Sequence, residues 1–182
     1  MTAASPGLLR SVWTLSVRIV HWSLAALVVF NLFNESGAKT HRYVGYVAAA
    51  FVVARLLYGV LTRSTPAQLR VPRASEGWSH MKQMRKGRTQ QRAGHNPLAT
   101  AMTLLLWLLV MLLGLSGWIS RWDRFWGEDW PVDLHVLLSG TLQVCVVLHL
   151  LGVALSSVLE RQNLVRSMVT GKKYVDPPSE SH

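Results

Sequence analysis

Residues 134–153 read LHVLLSGTLQVCVVLHLLGV, an almost wholly apolar run that nevertheless contains two histidines, His135 and His149. The run has no Asp, Glu, Lys or Arg. As a helix it is long enough to cross the ~30 Å hydrocarbon core of a bilayer, which takes about 20 residues. The segment therefore predicts a transmembrane helix, and it raises the question of what two imidazoles do inside one.

The charges of the chain are segregated in a way that predicts further membrane spans. Of the 182 residues, 50% are hydrophobic and only 15% are charged. Few or no charges fall in four windows: 12–33, 41–61, 97–119 and 132–159. Each window is long enough to span a bilayer as a helix, so the sequence predicts an all-α, four-helix membrane bundle. The first window is not typical of a cleaved signal peptide, since no small-residue cleavage site follows it.

The net charge of +10 comes mainly from two segments. Most Lys and Arg residues lie in the loop 63–96 and after the fourth window, whereas the other two loops are nearly balanced. This is the positive-inside pattern, which predicts that both termini and the long middle loop face the cytoplasm. Topology and contact with anionic lipid account for the basic charge, so we do not expect nucleic-acid binding.

The domain organisation is simple. We expect one membrane domain over residues 1–173 and a short polar tail over 174–182. The only cysteine, Cys145, excludes an internal disulfide and also a covalent C-x-x-C-H haem site. It lies in an apolar run and is predicted to pack as a small hydrophobic residue.

The spacing of the histidines organises the candidate site. His135 and His149 are 14 positions apart, which on a helix is within about 40° of one face and ~21 Å along the axis. His21 is about nine residues into the first window, and His149 is about ten residues from the end of the last, so their depths match. His41 and His135 both lie near the opposite membrane surface. The four histidines thus form two level pairs, an inner pair (His21 and His149) and an outer pair (His41 and His135).

Two facing imidazoles in a helix bundle are typical of bis-histidine haem ligation. An ionisable residue in a membrane helix is costly and by default indicates function, although a lone histidine also serves as a structural hydrogen-bonding group. Zinc fits less well, because it requires three or four ligands drawn together. Glycines near the histidines would leave room for a macrocycle or allow close helix packing, and both readings remain open for these residues: Gly45, Gly114, Gly117, Gly140 and Gly152.

Arg55 is the other unusual residue, since it lies within the second apolar window. It follows His41 by 14 positions and so shares its face at the depth of His149. The guanidinium would pair with a haem propionate or a quinone headgroup, or else snorkel to the interface. Arg18, one turn before His21, is a second candidate. The remaining histidines, His80, His95 and His182, are not assigned to haem. Asn96 is expected to cap the third helix.

Motifs along most of the chain resemble the bacterial di-haem cytochrome b family, which includes the prokaryotic cytochrome b-561 proteins and the b-type cytochrome subunits of nickel–iron hydrogenases. The motifs lie between about residues 10 and 173: VRIVHW at 17–22, HRYVGY at 41–46, ARLLYGV at 54–60, GHNPL at 94–98, LHVLLSG at 134–140 and LHLLGVALSSVLERQNLVRSMVTGKK at 148–173. The resemblance implies two non-covalently bound b-type haems, with His21, His41, His135 and His149 as ligands.

The resemblance also implies a function and partners. Such proteins pass electrons between the quinone pool and a periplasmic redox partner, such as a c-type cytochrome or a hydrogenase. Quinone exchange is then expected near the inner pair and Arg55. Three alternatives remain: a stand-alone oxidoreductase that takes electrons from a small molecule such as superoxide, an anchor subunit of a larger complex, and a haem-free transporter with a histidine proton relay. The sequence leaves the oligomeric state open.

Overall fold

The computed structural model of the chain describes residues 8–62 and 97–175. Several sequence predictions lie outside these ranges, namely those for the basic loop and for His80, His95, Asn96 and His182.

Four long helices dominate the described residues and confirm the predicted all-α membrane bundle. Their bounds are α1 (Leu15–Phe33), α2 (Lys39–Thr62), α3 (Pro97–Ile119) and α4 (Trp130–Leu159). All four are long and apolar enough to cross a membrane. The helices coincide with the charge-poor windows because lipid leaves no water to satisfy the backbone, so an apolar segment forms its hydrogen bonds internally.

The ends of the helices differ from the predicted windows by no more than three residues. α1 begins at Leu15 rather than at 12, because the backbone N–H groups of Val12 and Trp13 donate to the carbonyl of Gly171 instead of entering the helix. α4 begins two residues early, with Pro131 in its first turn, where a proline costs no hydrogen bond.

The helices pack in chain order. Close backbone contacts join α1 to α2, α2 to α3 and α3 to α4. Two small apolar clusters form the core, and Val28 of α1 packs against both: Ala48, Val52 and Val110 in one, and Leu109, Leu142 and Cys145 in the other. Most large apolar side chains outside these clusters are exposed, as expected for helices that face lipid.

A small unit absent from the sequence predictions closes one end of the bundle. After α4, the chain forms a short helix, α5 (Leu164–Thr170), capped by the Asn163 side chain, which accepts a hydrogen bond from the Arg166 N–H at 2.8 Å. Strands β1 (Leu8–Ser11) and β2 (Lys172–Val175) then pair antiparallel. The expected tail thus begins inside β2, and the segments before α1 and after α5 lie at the same end of the bundle.

Candidate functional site

The outer pair is brought together across the bundle. His41 lies in the first turn of α2 and His135 near the start of α4, and their ring centroids are 6.0 Å apart at an interplanar angle of 70°. Both side chains are half-buried. Metal–imidazole bonds are about 2 Å long, so this ring separation is compatible with one metal ion held between the two imidazoles.

The hydrogen bonds of the outer pair select the nitrogen that is available to a metal. His41 Nδ1 lies 2.6 Å from the carbonyl oxygen of Asn34, which only accepts, so Nδ1 carries the proton. Nε2 of His41 therefore keeps its lone pair. A ligating histidine usually donates its other ring N–H to a carbonyl in this way, which fixes both tautomer and orientation.

His135 is oriented by an analogous relay on α3. Its Nδ1 lies 3.0 Å from Ser116 Oγ, and that hydroxyl donates to the carbonyl of Leu113 at 3.2 Å. Because the hydroxyl proton goes to Leu113, Ser116 Oγ accepts from His135 Nδ1–H, and Nε2 is again free to ligate. Sequence reasoning missed Ser116, although a serine between two glycines in an apolar helix was a visible signal.

Asn31 of α1 also contributes to the outer pair. Its Nδ2 donates to the carbonyl of His41 at 2.9 Å, which ties the first turn of α2 to α1. Together with the Asn34 carbonyl, it holds His41 at both its backbone and its ring. The sequence signal was a polar residue near the end of an apolar window.

The inner pair is also brought within interaction range. His21 of α1 and His149 of α4 lie close enough for a charge on one ring to affect the other, and both are half-buried. His21 Nδ1 is buried and has no hydrogen-bond partner in the described part of the chain. Its ring packs edge-on against Trp22, with centroids 5.2 Å apart. A buried imidazole nitrogen without a partner is costly, so His21 fits a position at which a bound group supplies the missing interaction.

Helix packing leaves lateral room at both pairs. The inner pair joins α1 to α4 and the outer pair joins α2 to α4, and these two helix combinations make few or no close backbone contacts over the described ranges. Gly140 and Gly152 of α4 are exposed, and a Cβ on either would meet no atom within 4 Å, so they border open surface. The half-buried histidine pairs and the sparse contacts between α4 and the two facing helices fit a flat macrocycle held between these helices.

The other glycines lie at close contacts rather than beside open space. A Cβ on Gly117 would lie 3.2 Å from His135 Cε1, and one on Gly114 would lie 3.3 Å from Ala49 Cβ. On Gly45 it would lie 3.4 Å from Asn31 Nδ2. The two readings of the glycines thus divide by position: close packing for these three, open space for Gly140 and Gly152.

Arg55 is buried between α2 and α3, with 7% of its surface exposed. Its guanidinium lies 5.9 Å from the centroids of both the Tyr58 and the Trp107 rings, a cation–π arrangement. α2 and α4 run in the same direction, and the 14-residue steps from His41 to Arg55 and from His135 to His149 are equal. Arg55 therefore lies at the level of the inner pair.

Arg18 is half-buried on α1, three positions before His21. Its Nη2 donates to the carbonyl of Val169 in the last turn of α5. The guanidinium is thus engaged with the unit that closes the bundle.

No group of three or more His, Cys, Asp or Glu side chains arranged to hold a metal occurs within residues 8–62 and 97–175.

The packing of Gly117 against His135 leads to a first prediction. Gly117→Ala should disturb the outer pair, because the added methyl group forces the His135 ring to move by a few tenths of an ångström, and overpacking typically costs about 1–3 kcal/mol. If the outer pair holds a haem, the absorption spectrum of that haem should change in the purified variant, or part of the haem should be lost. Gly114→Ala is the matched control, since it crowds Ala49 on the same helix to a similar degree without touching a histidine. Equal spectral changes in both variants would contradict the prediction.

Comparison with known protein families gives a match over most of the chain. The profile of the prokaryotic cytochrome b561 family matches residues 12–171, a range that includes all four long helices and all four paired histidines. No curated protein and no solved structure matches the chain.

Proposed function

Since the chain belongs to the prokaryotic cytochrome b561 family, and is thus a haem-binding membrane b-type cytochrome of electron transfer, we propose that it carries electrons between two haems in the bacterial inner membrane. The proposed ligands are His21 and His149 for the inner haem, and His41 and His135 for the outer haem. The proposed route joins the quinone pool to a periplasmic redox protein, such as a c-type cytochrome or a hydrogenase.

The observation that carries this proposal is the geometry of the outer pair. Two imidazoles from different helices approach each other edge-on, with their ring centroids 6.0 Å apart. Each has its Nδ1 engaged in a hydrogen bond and its Nε2 left for a metal. A histidine relay for protons would instead use both nitrogens of each ring in turn, so locked tautomers favour ligation over proton transfer.

The protein contributes ligation, orientation and a dry environment. Bound haem iron supplies the one-electron redox chemistry. Asn34 and Ser116 hold the outer imidazoles in one tautomer, and such hydrogen bonds to ligating histidines raise ligand basicity. Apolar side chains around Leu142 and Cys145 separate the two levels of α4 and exclude water from the space between them.

Quinone chemistry is proposed at the level of the inner pair. Arg55 supports this location, because a buried, permanently charged guanidinium attracts either an electron-rich carbonyl oxygen or a propionate. Its cation–π contacts with Tyr58 and Trp107 hold the charge in place. The loop between α3 and α4 (residues 120–129) carries exposed aromatic side chains, including Trp126 at 90% exposure, which suit an interfacial belt or a partner contact.

The first test of the proposed function is the haem content of the purified protein. We expect two b-type haems per chain and a reduced-minus-oxidised spectrum typical of low-spin, bis-histidine ligation. Protein produced with an ample haem supply and found to contain one haem, or none, would contradict the proposed pairs. Detergent-purified full-length protein is sufficient for this measurement.

Arg55→Met should lower the reduction potential of the inner haem. Removing a nearby positive charge disfavours the reduced state, and we expect an effect on the order of tenfold in the reduction equilibrium, about 59 mV for one electron. A redox titration followed at visible wavelengths measures it. The Arg55→Lys variant should have an inner-haem reduction potential close to that of the parent protein, because lysine keeps the positive charge. If the potential is unchanged but quinone reduction slows, Arg55 binds quinone rather than acting on the haem.

A further inference from the structure

The two helices that carry the inner pair are tied together at one end of the bundle by a set of interactions here called the terminal clasp: β1, α5, β2 and the side chain of Arg18. β1 and β2 pair over their full length, from Leu8 opposite Val175 to Ser11 opposite Lys172. The N–H groups of Val12 and Trp13 both donate to the carbonyl of Gly171, at 2.8 and 3.2 Å. The start of α1 is thereby bonded to the segment that follows α4.

The terminal clasp is also bonded to residues at the end of α4. Gln162, just after α4, forms two hydrogen bonds with the backbone of Tyr174, donating at 3.1 Å and accepting at 2.9 Å. Lys173 and Glu160 form an ion pair of 2.6 Å in which the side chains are only 6% and 13% exposed. β2 is therefore held between β1 and the end of α4. Such a closely bonded arrangement resists sliding of α1 relative to α4.

The rest of the bundle does less to fix this spacing. α1 and α4 make few or no close backbone contacts within the described residues, although they carry His21 and His149. Arg18 lies within one helical turn of His21, and its bond to Val169 is the side-chain link of the terminal clasp nearest to the inner pair. Val28 and Leu32 of α1 also pack against the cluster that contains Leu142 and Cys145 of α4, but they lie about two and three turns beyond His21. At the level of the inner pair, the spacing of α1 and α4 therefore depends mainly on the terminal clasp.

Gly171 is the position where the terminal clasp is most sensitive to change. Its φ of +80° is in the left-handed region, and it provides the C-cap of α5. A Cβ there would lie 2.8 Å from the carbonyl oxygen of Trp13 and 3.3 Å from Arg18 Nη1. Any side chain at this position therefore pushes the start of α1 away from β2.

We propose that the terminal clasp sets the spacing of α1 and α4 at the inner pair and so controls the reduction potential and retention of the inner haem, with Gly171 and Arg18 as positioning residues. The inference rests on the proposed function, because it requires a haem between His21 and His149. Opening the terminal clasp admits water to the inner level. Water favours the oxidised state, which carries one more positive charge, so the potential of the inner haem falls.

The test is a redox titration with haem quantification on the purified full-length protein and its Gly171→Ala variant. We expect the inner component to shift downwards by about tenfold in its reduction equilibrium, about 59 mV, or to be lost, while the outer component is unchanged. Gly127→Ala is the matched control: Gly127 also has a positive φ, of 87°, but a Cβ there meets no atom within 4 Å. The Gly127→Ala variant places a side chain at a positive φ without crowding another residue. Its inner and outer haems should therefore titrate as in the parent protein.

Arg18 gives a second, milder variant in case Gly171→Ala fails to fold. Arg18→Met removes the bond to the Val169 carbonyl and should lower the reduction potential of the inner haem but not that of the outer haem. Arg18→Lys retains a hydrogen-bond donor, so its inner haem should have a potential closer to that of the parent protein. Unchanged inner components in both Gly171→Ala and Arg18→Met would overturn the inference. An equal shift of both haems would overturn it too, because the effect would then be general.

The same experiment separates failure of this inference from failure of the proposed function. If His149→Ala retains two titrating haems, there is no haem at the inner pair and the proposed function is wrong in that respect. If His149→Ala removes the inner component while the terminal-clasp variants leave it untouched, only the inference about the terminal clasp fails.

Discussion

His149→Ala is expected to lower the haem content from two per chain to about one, with the outer component of the redox titration preserved. The variant removes one of the two proposed ligands of the inner haem, and His21 alone would not complete the proposed site. The outer pair is independent of this change, because His135 lies 14 positions earlier on α4, ~21 Å along the helix axis. Its orienting partners, Asn34 and Ser116, belong to other segments of the chain.

Matched variants make the loss interpretable. His21→Ala should give the same spectrum as His149→Ala, and the double variant should lose no further haem, since both residues serve one site. Gln143→Ala is the control on α4, because it removes an exposed polar side chain from the same helix without affecting either pair. Two haems per chain with unchanged spectra in His149→Ala would show that the inner pair is assigned incorrectly.

The second large effect is expected at the outer end. His135→Ala should remove the outer haem and slow electron passage to an acceptor on that side by at least tenfold, while the inner haem is still reduced by quinol. The electron then has no redox centre at the level of His41. The measurement uses proteoliposomes with a quinol in the bilayer and ferricyanide, which does not cross lipid, in the compartment facing the outer end. His41→Ala should behave in the same way.

Ser116→Ala provides a graded version of this experiment. It leaves the ligand in place but removes the oxygen that accepts the His135 Nδ1–H at 3.0 Å. Loss of such a partner typically lowers metal affinity by about 10–100-fold, so we expect weaker retention of the outer haem. Ser120→Ala is its control on the same helix, because within residues 8–62 and 97–175 the Ser120 hydroxyl bonds only to the carbonyl of Gly117. Ferricyanide reduction at the parent rate in His135→Ala would refute the proposed route.

Several features of the site were predictable because they depend on local composition. The helix bounds follow from charge-poor windows, and helix geometry places His135 and His149 on one face with Arg55 level with the second of them. These inferences need only the rise and rotation of a helix, which are the same in every membrane bundle. The direct contact of His41 with His135 agrees with the predicted outer pair, although the ligand roles stay a prediction.

Other features of the site were not accessible from local patterns. Which nitrogen of His41 is protonated depends on the carbonyl of Asn34, and that group is brought there by the turn between α1 and α2. The engagement of Arg18 with Val169 joins residues 151 positions apart. No periodicity in the sequence reports such a contact, because a long flexible side chain can reach many carbonyl groups and the local sequence does not distinguish among them.

The sequence by itself determined that this protein crosses a membrane four times and that the four histidines of its apolar windows lie at two depths, because burial in lipid forces apolar segments into helices of fixed geometry. Only the tertiary structure decided that Leu8–Ser11 pairs with Lys172–Val175 and that Gly171 must lack a side chain. Short strands have little conformational preference of their own, so their pairing depends on the helices that bring them together.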